Sequence, residues 1–214
     1  KDYIDWSPFF RTWDLHGRYP NILEDEIVGK QAMELFADAQ KMLEKIISEK
    51  WLTAKGSFGI FPANSIEDDI EIFDSDLRKN SIHKFFTLRQ QSKKGGSAPN
   101  IALADFIAPK ETNIDDYIGT FCVSTGFGCD EKAKLFEDMN DDYNSIMIKA
   151  LADRLAEAFA EYLHKKIRIK YWGYSKNEQL DNESLIREKY IGIRPAPGYP
   201  ACPDHLEKKT IWEL

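Results

Sequence analysis

The run Asp141–Trp172, DDYNSIMIKALADRLAEAFAEYLHKKIRIKYW, decides how the rest of the chain is read. Asp142 or Asn144 can cap it and basic residues collect toward its end, so both termini suit a helix dipole. At roughly 100° per residue, Asp153, Arg154, Glu157, Glu161 and His164 fall inside one arc of about 100°. Every other residue from Leu151 to Leu163 is Leu, Ala, Phe or Tyr. The pattern predicts a long helix, apolar nearly all round, with one narrow polar line. Such a line faces solvent or a cavity, and solvent is the commoner arrangement. Five alanines from Ala150 to Ala160 let neighbouring elements approach closely.

Around that helix the chain reads as a mixture of elements. Met33, Phe36, Ala37, Met42, Leu43, Ile46 and Ile47 approximate an apolar face over Gly29–Trp51, a second helix. GSFGIFPA and DIEIF read as short strands separated by the acidic turn NSIEDD, and HKFFTLRQQ as a strand leading into a turn. Ser92–Asn100, SKKGGSAPN, is the clearest flexible loop. LADFIAP and DYIGTFCVSTG read as further strands, the second closed by Gly126. There is no internal repeat and no low-complexity segment.

Composition bounds the function. The 214 residues are 43% hydrophobic and 30% charged, enough to bury a real core as one large domain or two small ones. A net charge of −7 argues against nucleic acid or an anionic membrane as the main partner. The cysteines, Cys122, Cys129 and Cys202, are too scattered for a disulfide framework and suit a reducing cytoplasm. No run approaches a membrane span. The opening KDYIDWSPFF lacks a signal peptide's apolar centre, has no initiator methionine and reads as mid-chain sequence. The expectation is a piece of a larger protein.

One other stretch carries chemistry. Gly192–His205, GIRPAPGYPACPDH, holds four prolines between Pro195 and Pro203 and an arginine at its front. Proline sets φ, removes a donor and biases the preceding residue toward extended backbone, so the loop is stiff before any ligand arrives. Gly198 permits positive φ or close approach of a ligand. Tyr199 supplies a flat face and a hydroxyl, and Arg194 a fork that suits a carboxylate. The set suits a ligand with a carboxylate, a planar ring and a positive centre. On these grounds alone a rigid surface connection with an incidental arginine explains the loop at least as well.

The family Arg-x-x-x-Gly-Tyr-Pro motif stands here as Arg194, Gly198, Tyr199 and Pro200. YIDWSPFF, FPANSIEDDIEIF, LRQQ, LADFIAP, DDYNSIMIKALADRLAEAFAEYLH and YWGY accompany it in order. With these blocks the chain resembles the C-terminal activation domain of cobalamin-dependent methionine synthases across essentially its whole length, 1–214. The resemblance implies an α+β fold, a single C-shaped domain around a bent antiparallel sheet with flanking helices. It implies binding of S-adenosylmethionine and reductive methylation of inactive cob(II)alamin to methylcobalamin, with an electron from flavodoxin or an equivalent reductase. The cobalamin belongs to a separate module of the parent enzyme, which is the partner expected beside flavodoxin; zinc belongs to yet another module. The parent chemistry moves a methyl group from methyltetrahydrofolate to homocysteine within methionine biosynthesis. Methyl transfer from a sulfonium to cobalt needs positioning and electrostatics but no protein nucleophile, so no catalytic side chain is assigned. The sequence shows no nucleophile elbow and no phosphate loop.

By resemblance, Arg194 would hold the methionyl carboxylate and Asp5 the ammonium. Pro195, Ala196, Gly198 and Tyr199 would flank the adenosyl or sulfonium part. Glu157 and Glu188 match supporting acidic residues, though ordinary ion pairs with Arg154 or Arg187 explain them equally well. Cys202 and His205 have a zinc-like spacing but lack two further ligands. His164–Lys170 and Arg18 could face an acidic flavodoxin. Trp6, Phe9, Phe10 and Trp13 could line a cleft, though aromatics this dense usually form core. In the family the domain continues beyond KKTIWEL with at least one tyrosine contact to S-adenosylmethionine, so the site here is expected to be truncated. Two other readings stay open: a docking module for a cobalamin domain or flavodoxin that cannot hold S-adenosylmethionine, and an activation-like protein serving another corrinoid enzyme.

Overall fold

The computed structural model describes residues 1–214. In chain order it runs α1 (Ser7–Thr12), α2 (Gly29–Ser48), β1 (Thr53–Ile66), β2 (Asp69–Phe73), β3 (Ser81–Phe86) and β4 (Asp116–Phe127). Then follow α3 (Cys129–Asp138), α4 (Asp142–Lys166), α5 (Asn182–Ile186) and α6 (Lys208–Glu213). The strands form one open antiparallel sheet in the order β3-β2-β1-β4, so the fold is α+β. The chain divides into two compact units, Lys1–Gly56 with Cys122–Ile191 and Ser57–Phe121 with Gly192–Leu214.

In the first unit, α4 is the longest helix, and its cap is Asp141, ahead of both candidates read from sequence. Asp141 Oδ1 accepts the Asn144 backbone N–H at 3.1 Å, and its Oδ2 accepts the Asn144 side-chain amide at 2.7 Å. Either expected cap lies inside the helix, because Asp141 already answers the orphan donors of the first turn. Met147, Ile148 and Leu151 are fully buried against Phe9, Phe10, Leu43 and Ile46. The aromatic opening is therefore core, not cleft lining: Trp6, Phe9 and Phe36 meet edge to face. The α2 core face is Ala32, Leu35, Ala39, Met42, Leu43 and Ile46, while Met33 and Ile47 stay exposed. A strict 3.6-residue stripe through Leu35 separates these sets; the sequence reading spread the face too wide.

The polar line of α4 changes character along its length. Asp153 and Glu157 face solvent, whereas Glu161 and His164 are buried. Beyond Lys166 the helix does not continue as α to Trp172; it widens into π-helical turns over Ile167–Tyr171, and Gly173 ends it at φ +79°. Within these turns Arg168 is completely buried. Its Nε and Nη2 donate to the two carboxylate oxygens of Glu178 at 2.7 and 2.6 Å. Its remaining nitrogen lies 2.6 Å from His164 Nδ1. Arginine only donates, so His164 Nδ1 accepts and the imidazole is neutral with its proton on Nε2. The Tyr190 ring covers the guanidinium at 4.3 Å.

The second unit is built on β2. Ile70 and Ile72 pair with Phe85 and His83 on β3, and Ala63 on β1 pairs with Ile72. One sheet face thus carries Ala63, Ile70, Ile72 and Phe85, joined by Ala104, Ile118, Ile211 and Leu214. LADFIAP is not a strand. Asp105 accepts the Ala102 N–H at 2.9 Å and receives Arg89 at 2.6 and 2.8 Å, curling Leu103–Phe106 into a 3-10 turn. The Arg89 guanidinium holds the Asp105 carboxyl below the usual carboxylate range. HKFFTLRQQ is, as expected, a strand that leaves the sheet, at Phe86, and Thr87 and Arg89 turn their side chains onto Asp68. The sequence reading also passed over α3, whose charged CDEKAKLFED buries only Cys129 and Ala133.

Truncating Glu178 to alanine strands a fully buried guanidinium. The expected loss is about 3–5 kcal/mol in urea unfolding of the 214-residue chain. Removing the Asp141 cap with Asp141→Ala is expected to cost only about 1 kcal/mol in the same assay.

Candidate functional site

The loop singled out by sequence lies in the second unit and closes on itself. The Tyr199 N–H donates to the Ala196 carbonyl at 3.0 Å, and the Gly198 N–H to the Cys202 carbonyl at 2.7 Å. The Cys202 N–H donates back to the Tyr199 carbonyl at 2.8 Å. Proline cannot donate these bonds, so they fall on the residues between the prolines. Gly198 adopts φ +103°, a conformation that strains any side chain. The turn presents Tyr199 outward, 62% exposed, so it is not a core tyrosine. Arg194 and Pro195 are half-buried on the same segment, and Ala196 is exposed. The structure therefore brings Arg194, Pro195, Ala196, Gly198 and Tyr199 together as one stiff loop.

The acidic residues assigned with them belong to the first unit. Asp5 sits between buried Ile4 and Trp6, and its Oδ1 accepts the Ser7 N–H at 3.0 Å at the start of α1. Asn182 donates its side-chain amide to the Ile4 carbonyl at 3.3 Å, tying the N-terminus of α5 to the residue before Asp5. Glu157 is exposed midway along α4. Glu188 is exposed at φ +53° just after α5. Arg187, one of the expected ion-pair partners, is paired with Glu183 at 2.5 Å.

What sequence reasoning missed is how the loop is anchored. The two turns after Cys202 carry Glu207, which is buried, at the N-terminus of α6. Its carboxylate takes hydrogen bonds from the Phe86 backbone on β3 and from Thr210. Burial outweighs these bonds, and together with Asp204 and Asp69 nearby it pushes the Glu207 carboxyl above its ordinary range. A lone Glu in DHLEKK gives no sign of burial, because only the sheet edge beneath it removes the water. Cys202 is buried too, and burial pushes its thiol up. Its imagined partner in a zinc site, His205, instead lays its ring on Gly198. No group of three His, Cys, Asp or Glu side chains is placed to hold a metal ion. No helix is long and apolar enough to cross a membrane.

The family model for the activation domain of vitamin B12 dependent methionine synthase matches residues 1–214, and the chain belongs to that family. It is also similar to the crystal structure of the MetH reactivation domain bound to AdoHcy, at 60% sequence identity and a TM-score of 0.94. That similarity covers 100% of this chain and 65% of that one.

Because the folded state favours protonated Glu207, stability falls as pH rises from the ordinary carboxylate value through the raised one. Glu207→Gln keeps an acceptor for the Phe86 N–H and removes the charge. The variant is expected to melt about 2 °C above wild type at pH 7.5 and level with it at pH 4. A lower melting point at pH 7.5 would show that the charge is stabilising.

Proposed function

We propose that this domain binds S-adenosylmethionine on the Arg194–Pro200 loop and supports reductive methylation of cobalamin carried by a separate module. Flavodoxin or an equivalent reductase supplies the electron. The observation that carries the reading is the intact Arg194, Gly198, Tyr199, Pro200 motif, in one closed loop, in a chain 60% identical to a reactivation domain that binds AdoHcy. AdoHcy is what S-adenosylmethionine becomes on losing its methyl group. It keeps the carboxylate, ammonium and adenine that the loop would recognise.

The donor set fits such a ligand. Arg194 offers parallel N–H donors to a carboxylate. The exposed Tyr199 ring gives an adenine or a corrin edge a flat surface. The carbonyls of Pro195, Pro197 and Pro200 are acceptors with no competing N–H of their own, suited to the positive end of a sulfonium or ammonium. S-adenosylmethionine supplies an electrophilic methyl group and cobalamin the metal nucleophile. The protein's share is then orientation and electrostatics, with no acid, base or covalent group needed. Three free cysteines are in keeping with work in a reducing cytoplasm.

Calorimetric titration of the 214-residue chain with S-adenosylmethionine tests this directly. Saturable binding is expected, weakened roughly 10- to 100-fold by Arg194→Ala, the range for losing a charge-assisted contact. Equal affinity in the variant would remove Arg194 from the site, and no binding by the folded wild type would leave a docking module as the better reading.

A further inference from the structure

We infer that His205 is a positioning residue for the ligand loop: its imidazole packs on the open face of Gly198 and holds the turn that carries Tyr199. The inference rests on the ligand reading above and deepens it. A Cβ built at Gly198 would lie 2.5 Å from His205 Cε1 and 2.7 Å from Nε2. The ring therefore occupies the space a side chain would need, in contact with the glycine backbone itself. Gly198 is glycine for two reasons, its φ of +103° and this ring.

The contact matters because of what lies behind it. The bonds among Ala196, Gly198, Tyr199 and Cys202 close the loop on itself and so give it shape. His205, by contrast, is tied to the sheet. Asp204 Oδ1 accepts the Leu206 N–H at 2.9 Å, an Asx turn spanning His205, and the His205 carbonyl accepts the Lys208 N–H at 3.2 Å. Two residues on, Glu207 is buried against β3, and Ile211 and Leu214 pack into the core beneath. The imidazole is the rigid piece between this anchored segment and the glycine of the motif. Pre-set loop geometry reduces the ordering cost of binding. Losing the ring should therefore weaken ligand binding while leaving the fold intact, since His205 is itself exposed.

The role belongs to the bulk of the ring, whose Cε1–Nε2 edge lies nearest Gly198, and not to its charge, and the experiment separates the two. Wild type, His205→Ala and His205→Phe are titrated with S-adenosylhomocysteine by calorimetry, with the melting temperature of each recorded. Proton NMR of glycine-labelled protein follows the Gly198 α-protons, whose chemical shift a neighbouring aromatic ring perturbs through its ring current. His205→Ala is expected to weaken binding about tenfold at unchanged melting temperature and to abolish the ring-current shift. His205→Phe is expected to restore both, to within roughly threefold in affinity. Wild-type affinity in His205→Ala, or failure of phenylalanine to rescue, would overturn the positioning role while the ligand reading stands. No binding by wild type, with the Gly198 shift present, would overturn the ligand reading and the positioning role with it.

Discussion

The burial of Arg168 is the constraint on which the first unit depends. A guanidinium removed wholly from water costs several kcal/mol unless its donors are answered. Here Glu178 takes two of them, His164 takes a third, and the Tyr190 ring covers the cation. Each partner comes from a different part of the chain: the last α-helical turn, the segment after Gly173, and the residues after α5. Answering one charge therefore fixes the exit of α4 and the path from Tyr174 to Tyr190. The π-helical widening at Ile167–Tyr171 occurs at this point, and Arg168 stands within it.

The second unit solves a smaller version of the same problem with a carboxylate. Glu207 is buried at the sheet with acceptors only partly satisfied, and its surroundings favour the protonated form. Its place in the fold gives the preceding residues a fixed end. Stiffness at Arg194–Pro203 thus has two origins: proline restricts the backbone locally, and the turns through His205 and Glu207 tie its far end to β3. A loop with only the first property would be rigid but unplaced. A functional loop needs both, because recognition depends on where donors stand as well as on how little they move.

The misread segments share a physical cause. LADFIAP has the alternation of a strand, but Asp105 offers the backbone a nearer partner than any neighbouring strand, and Arg89 holds that carboxylate in place. The sequence points to Asp142 or Asn144 as the α4 cap because Asp141, Asp142 and Asn144 are equally good capping types within four residues; which one acts depends on where the chain arrives from α3. The helix α3 shows almost no apolar face, so periodicity had little to detect. His164 reads as part of a solvent-facing polar line and Arg168 as part of a basic segment facing a partner, because sequence alone cannot say that Glu178 and Tyr190 return to cover them.

What the sequence by itself determined is the set of features that depend on nearest neighbours: the helical period of α2 and α4, the alternation in DIEIF, the stiffness of the Arg194–Pro203 loop and the glycine at its turn. The ordered motif blocks also placed the chain in its family. Only the tertiary structure decided which charges are buried and what answers them. It set Arg168 on Glu178, Glu207 under β3 and His205 on Gly198. The reason is that local backbone preference acts over a few bonds, whereas the cost of burying a charge depends on solvent access. Solvent access exists only once distant segments have packed.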